Sequence, residues 1–144
     1  MSQTTHNVFP CLWFDGRARE AADFYCSLFP DAKVTLDAGM VVYWEMNGQK
    51  VMGLNGGPHF TFNESVSFFI SCDNQEQIDY YWNALTTDGG QEGRCGWCKD
   101  KFGFSWQVVP RQLPELMQDP QKRMRVQQAF MLMNKMVIAD LEKA

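Results

Sequence analysis

Two stretches of this chain carry the same pattern at a fixed spacing, and that repetition limits the possible fold more than any other feature. Residues 8–14 (VFPCLWF) are a short, apolar, aromatic-rich run that reads as a buried strand. Asp15 follows, with a side-chain oxygen suited to cap a helix. Ala18, Ala21, Ala22, Tyr25, Leu28 and Phe29 then recur at steps of three and four, which makes one apolar helical face. Pro30 stops the hydrogen-bond ladder. Half a chain later, residues 65–72 (SVSFFISC) read as a second buried strand. Asp73 with Glu76 resembles a capping box, and Ile78, Tyr81, Trp82 and Leu85 form the next apolar face before Gly89-Gly90. Setting Phe24-Tyr25 and Leu28 against Tyr81-Trp82 and Leu85 gives an offset of 57 positions, which marks an internal duplication.

The connecting segments complete each copy. After Pro30, residues 32–37 read as a strand, Ala38-Gly39 as a turn and residues 40–46 (MVVYWEM) as a strong strand. Asn47-Gly48 is the best hairpin signal in the chain, and residues 50–55 return as its partner. In the second copy, strands are expected over 91–93, 96–99 and 104–109. The expected class is α+β, with paired βαβββ modules. Module one covers about 8–55, a linker with Gly56-Gly57-Pro58 about 56–64, and module two about 65–110. At 144 residues this is one domain. Asp119 and Pro120 then open a C-terminal helix expected over about 119–143. Its stripe of Val126, Phe130, Met133, Val137 and Leu141 is widened by Met124, Met131, Leu132, Met136 and Ile138. So broad an apolar surface predicts both a helix lying across a sheet and a homodimer.

Bulk properties narrow the function. A formal charge of -4 gives no electrostatic reason to expect nucleic acid, and Lys122, Arg123 and Arg125 read as a solvated helix start. No apolar run is long enough to cross a bilayer, and the leader MSQTTHN lacks the regions of a signal peptide, so a cytoplasmic location is the default expectation. Five cysteines, an odd number, fit free thiols in a reducing compartment.

Four blocks, PCLWFDGRAREAADFYCSLFP, LNGGPHFTFNESVSFFISC, CGWCKDKFGFSWQVVP and MLMNKMVIADLEKA, resemble the PhnB-like branch of the vicinal oxygen chelate superfamily, also called demethylubiquinone methyltransferase-like. The resemblance covers nearly the whole chain. It implies paired βαβββ modules, each giving a curved half-sheet around a cleft, usually in a homodimer. The superfamily spans glyoxalase-type isomerases, extradiol dioxygenases, antibiotic-resistance proteins and metal-free binders, so the fold does not select one chemistry.

Enzymes of that superfamily hold a divalent metal with His and Glu from the first and last strand of each module, leaving positions for two substrate oxygens. Counting back from Phe24-Tyr25, the first position falls at about Pro10, and its counterpart at Ser67. The last strand of module two offers Gln107, and that of module one a residue between Met52 and Asn55. None is His or an acid, so no metal and no cofactor is expected. Of the two histidines, His6 lies in the polar leader and His59 in the linker, and both read as solvated.

Other chemistry is weakly signalled. Cys95-Gly96-Trp97-Cys98 is a CxxC that runs into a turn, without the helix N-terminus that activates a redox thiolate and without a second pair for zinc. No glycine-rich strand-to-helix turn marks an adenosyl site, and no Ser or Cys sits in a nucleophile elbow. Asp37, Glu45 and Glu64 read as surface charges. If Pro10, Ser67 and Gln107 face the cleft, their neighbours on the same faces are Leu12, Phe14, Phe69, Ser105 and Val109, to which Trp44 and Asn55 are added. The expectation is a metal-free cleft that binds a small, partly apolar molecule. The alternatives are a metal-dependent lyase, isomerase or dioxygenase that recruits His59 or Glu45, and a dimeric protein with a vestigial cleft.

Overall fold

The computed structural model describes residues 8–144, in two compact units that meet between Thr61 and Phe62 in the sequence. The first unit runs β1 (Cys11–Phe14), α1 (Ala18–Leu28), β2 (Lys33–Asp37), β3 (Val41–Met46) and β4 (Gln49–Asn55). Its sheet has the order β1-β4-β3-β2, with β1 and β4 parallel and the other pairs antiparallel. The second unit runs β5 (Ser67–Cys72), α2 (Gln75–Thr86), β6 (Gln91–Glu92), β7 (Trp97–Lys99) and β8 (Ser105–Pro110). Its order, β5-β8-β7-β6, repeats the first, again with one parallel pair. The helices begin at residues 18 and 75, the 57-residue offset read from the sequence.

In the first unit, α1 buries Ala18, Ala21, Ala22, Tyr25 and Leu28 against its sheet. Alanines let the helix approach closely, and Gly53 completes the fit. A Cβ there would stand 3.0 Å from the Trp44 ring and 3.1 Å from the Ala18 methyl. Phe29 is extended ahead of Pro30, as a residue preceding proline must be, and the helix ends there. Asn47 (φ 50°) and Gly48 (φ 76°) are both left-handed, the geometry of a two-residue hairpin.

The capping differs from the sequence expectation at both helices. Asp15 does not cap α1. The Ala18 N–H donates instead to Asn55 Oδ1 at 2.9 Å, from 37 residues away. At α2 the cap is Asn74 rather than Asp73. Its Oδ1 accepts from the Gln77 N–H at 2.9 Å, while Gln77 Oε1 accepts from the Asp73 N–H at 2.7 Å. The pair resembles a capping box, except that Gln77 reaches the N–H of Asp73, one residue before the cap, rather than that of Asn74.

The tail is not the single helix expected over 119–143. It forms α3 (Leu113–Gln118), α4 (Pro120–Phe130) and α5 (Ile138–Lys143). Asp119 does cap α4, accepting from the Gln121 N–H at 2.9 Å. Beyond Phe130, tertiary hydrogen bonds replace the helical ladder. The Met133 and Asn134 carbonyls accept from the Cys95 and Gly96 N–H groups, each at 2.8 Å. Gln75 then donates to the Met136 carbonyl at 3.0 Å and accepts from the Ile138 N–H at 2.9 Å, and so caps α5. Lys135 pairs with Asp79 at 2.9 Å. Helical propensity over 131–137 is overridden by these partners. None of the helices is long and apolar enough to cross a membrane, among the described residues.

Candidate functional site

Successive residues of a strand point to opposite faces, so one face of each sheet packs on its helix and the other is left open. In the first unit the residues expected to line a cleft lie on the helix side. Leu12 and Phe14 are buried, and Trp44 is fully buried with its ring 5.9 Å from that of Tyr25. Asn55, registered beside Phe14, has its amide engaged at both ends, by the Ala18 N–H and by the Gly39 carbonyl at 3.0 Å. These four are structural, and none is on an open sheet face. The cause is a one-residue phase error: counting in twos from Pro10 selects the helix side of β1, and a slip of one flips every side chain. The face opposite carries Cys11, Trp13, Tyr43, Met52 and Leu54, as the strand register shows.

The second unit places its four residues together. Ser67 registers with Ser105 and Phe69 with Gln107, all on the face away from α2. Gln107 Nε2 donates to Ser67 Oγ at 3.0 Å. Phe69, Trp97, Gln107 and Val109 floor a cavity of about 300 Å³ over this face. Leu113, Pro114 and Met117 from α3, Phe130 from α4 and Met136 wall it. Met136 is 2% exposed, held in place by the Gln75 and Cys95-Gly96 contacts that break the tail helix. These walls were not foreseen as site residues. The wide apolar stripe of the tail held Phe130 and Met136 and pointed to a surface rather than to a pocket, and nothing in the sequence marked Leu113, Pro114 and Met117.

The remaining chemistry is sparse. Cys98 is buried, and burial with Asp100 and Glu92 nearby pushes its thiol up to about 12. Burial likewise pushes the Cys72 thiol up to about 11. Both are the reverse of activated thiols. Cys95 sits in a turn with φ 59° and lines the apolar cavity. Asp100, unnoticed in the sequence, is 2% exposed. Its Oδ1 accepts from the Phe102 and Phe104 N–H groups at 2.8 and 3.1 Å, and its Oδ2 from the Trp106 indole at 2.8 Å. It closes the turn into β8 and is a structural carboxylate.

Divalent metals of the glyoxalase type need imidazole and carboxylate donors. Ser67 and Gln107 are neutral and bonded to each other, and Pro10 has no side-chain donor. Glu45 is exposed between Lys33 and Lys50, and His59 is exposed in the segment after β4. His6 lies outside the described residues. Among the described residues, no group of three or more His, Cys, Asp or Glu side chains comes together. The residues at this face do not fit such a metal.

Solved structures with the same fold are readily found. The PhnB protein of Bacillus cereus is 26% identical over 73% of this chain and 99% of its own, with a TM-score of 0.66. A protein from Pseudomonas aeruginosa matches at 20% identity over 74% of this chain and 98% of its own, TM-score 0.59. A glyoxalase/bleomycin resistance protein from Albidiferax ferrireducens matches at 11% identity over 72% of this chain and 96% of its own, TM-score 0.55, which is a likeness of fold alone. No curated protein matches the chain significantly. The family model described as 3-demethylubiquinone-9 3-methyltransferase covers residues 6–109. With its paired βαβββ units and that match, the chain belongs to this PhnB-like family of the vicinal oxygen chelate superfamily.

Proposed function

We propose that the open face of the second sheet reversibly binds a small, partly apolar molecule without a metal. One observation carries this reading: a cavity of about 300 Å³ lined mostly by apolar side chains, with Gln107, Cys95 and Trp97 as the residues that bring polar atoms. Small-molecule sites are concave and mostly apolar, with a few polar groups that fix orientation. An engineered cavity of about 150 Å³ takes up benzene, so this one has room for one or two rings. Gln107, held by Ser67, supplies the directional contact, and Phe69 and Trp97 supply faces for an aromatic ring.

The methyl transfer in the family description is not part of this reading. The turns entering the two helices, Asp15-Gly16-Arg17 and Asp73-Asn74, are not glycine-rich loops of the kind that hold an adenosyl cofactor. A homodimer in the cytoplasm belongs to the same proposal. Exposed Met124, Met131 and Leu132 and five free cysteines support it.

A screen of small aromatic molecules by thermal shift tests the binding reading. Compounds that raise Tm are expected, and Gln107→Ala and Phe69→Ala should abolish the rise while leaving the unliganded Tm near that of the parent. No stabilising compound, or a rise that persists in both variants, would sink it.

A further inference from the structure

We propose that the occupant of this face is an amphipathic carboxylate, with its apolar body in the cavity over Phe69 and Gln107 and its carboxylate on Lys99 and Ser105. The assignment rests on the binding reading above and adds the chemistry of the other end of the ligand.

A second cavity, of about 200 Å³, is lined by Glu64, Gln91, Trp97, Lys99 and Ser105 among others. Trp97 lines both cavities. Ser105 and Gln107 lie two apart on β8, on one face, so roughly 7 Å of strand separates the Ser105 end of this face from the Gln107 end. A single small molecule spans that distance.

Ser105 is the second observation that points to a ligand. It is 0% exposed, and its hydroxyl has no hydrogen-bond partner in the protein. Buried polar groups are nearly always paired, and an oxygen of the ligand would pair this one. Lys99 registers opposite Ser105 on β7. Glu64 enters from the segment ahead of β5, on the other side of β8, and bonds Lys99 at 3.1 Å. The ion pair therefore spans the strand that carries Ser105.

Which partner gives way follows from exposure. The Lys99 side chain is 34% exposed and that of Glu64 is 64% exposed. Such a pair is weakly held, and Glu64 returns to water at less cost than Lys99. A ligand carboxylate in place of Glu64 keeps the ammonium paired and offers an acceptor to the Ser105 hydroxyl. An amine would face Lys99 as a like charge. Glu92, also at this pocket, registers with Cys98 and so belongs to the helix side of its strand.

The test compares 4-phenylbutanoate with 4-phenylbutan-1-ol by titration calorimetry, since the two differ only in the head group. The acid should bind the parent protein at least tenfold more tightly than the alcohol. Lys99→Met should erase that preference by weakening the acid alone, Ser105→Ala should reduce it, and Glu64→Gln should tighten the acid several-fold by removing the internal competitor. Equal binding of acid and alcohol to the parent would overturn the carboxylate assignment while the apolar binding reading stands. Binding of neither probe to folded protein would overturn both. A preference for the acid that survives in Lys99→Met, in protein that unfolds at the parent's temperature, would also overturn it.

Discussion

The two units share strand order, one parallel strand pair and a 57-residue offset between helices, yet their open faces are used differently. In the second unit the chain continues past its last strand, and α3, α4 and the segment around Met136 enclose a cavity over the sheet. The first unit has α1 as its one helix among the described residues, and its open face carries no helix of its own. The hairpins differ as well. β3 and β4 join through Asn47 and Gly48 alone, whereas β7 and β8 are joined through residues 100–104, organised by the buried Asp100. Equal topology thus fixes which residues share a face. The added segments fix which face becomes a pocket.

The sharpest way to break this comparison is to truncate one aromatic in each sheet. Trp44→Ala, in the fully buried helix-side core of the first unit, should cost about 3–5 kcal/mol in chemical denaturation. Phe69→Ala, at a residue 58% exposed on the open face of the second, should stay within about 0.5 kcal/mol of the parent. A cost below about 1 kcal/mol for Trp44→Ala would remove it from the core and return it to the candidate binding residues. The hairpin contrast makes the next largest prediction. Asp100→Asn should destabilise by roughly 2–3 kcal/mol, because an amide has one acceptor where three donors converge and sets an N–H against one of them. A thermal scan of the same substitution at an exposed aspartate, Asp88→Asn, serves as the control and should show no comparable loss. The smallest effect concerns the long-range cap. Asn55→Ala should cost about 1–2 kcal/mol through the lost cap on α1, and Asn55→Asp should recover only part of it, because it restores the cap acceptor but sets an oxygen against the Gly39 carbonyl. A variant as stable as the parent would mean that the N-terminus of α1 finds another acceptor, Asp15 among them.

The duplication was legible because apolar spacing and turn residues are local signals. Asn47-Gly48 could only be a tight hairpin, and Pro30 and Asp119-Pro120 stop and start helices by backbone chemistry alone. The face assignment was legible in one unit and not in the other. Alternation along a strand gives two sets of residues but not which set meets the helix. Nothing local distinguishes Leu12, Phe14 and Trp44 from an apolar cleft lining. In the second unit the polar Ser67, Ser105 and Gln107 broke the symmetry between faces, since a core would have left more of them unpaired.

The sequence by itself determined the α+β class, the repeated βαβββ order and the positions of α1 and α2. These depend on residue type and on neighbours a few positions away. The tertiary structure decided what depends on partners far apart in sequence. Asn55 caps a helix that begins 37 residues earlier, and Gln75 caps one 63 residues later. The turn at Cys95-Gly96 captures the carbonyls of Met133 and Asn134 and ends a helix that its own residues would have continued. Each replaces a local hydrogen bond with a distant one of similar strength. The choice between them is made by the packing that brings the partners together, and that same packing closes the cavity over Phe69 and Gln107.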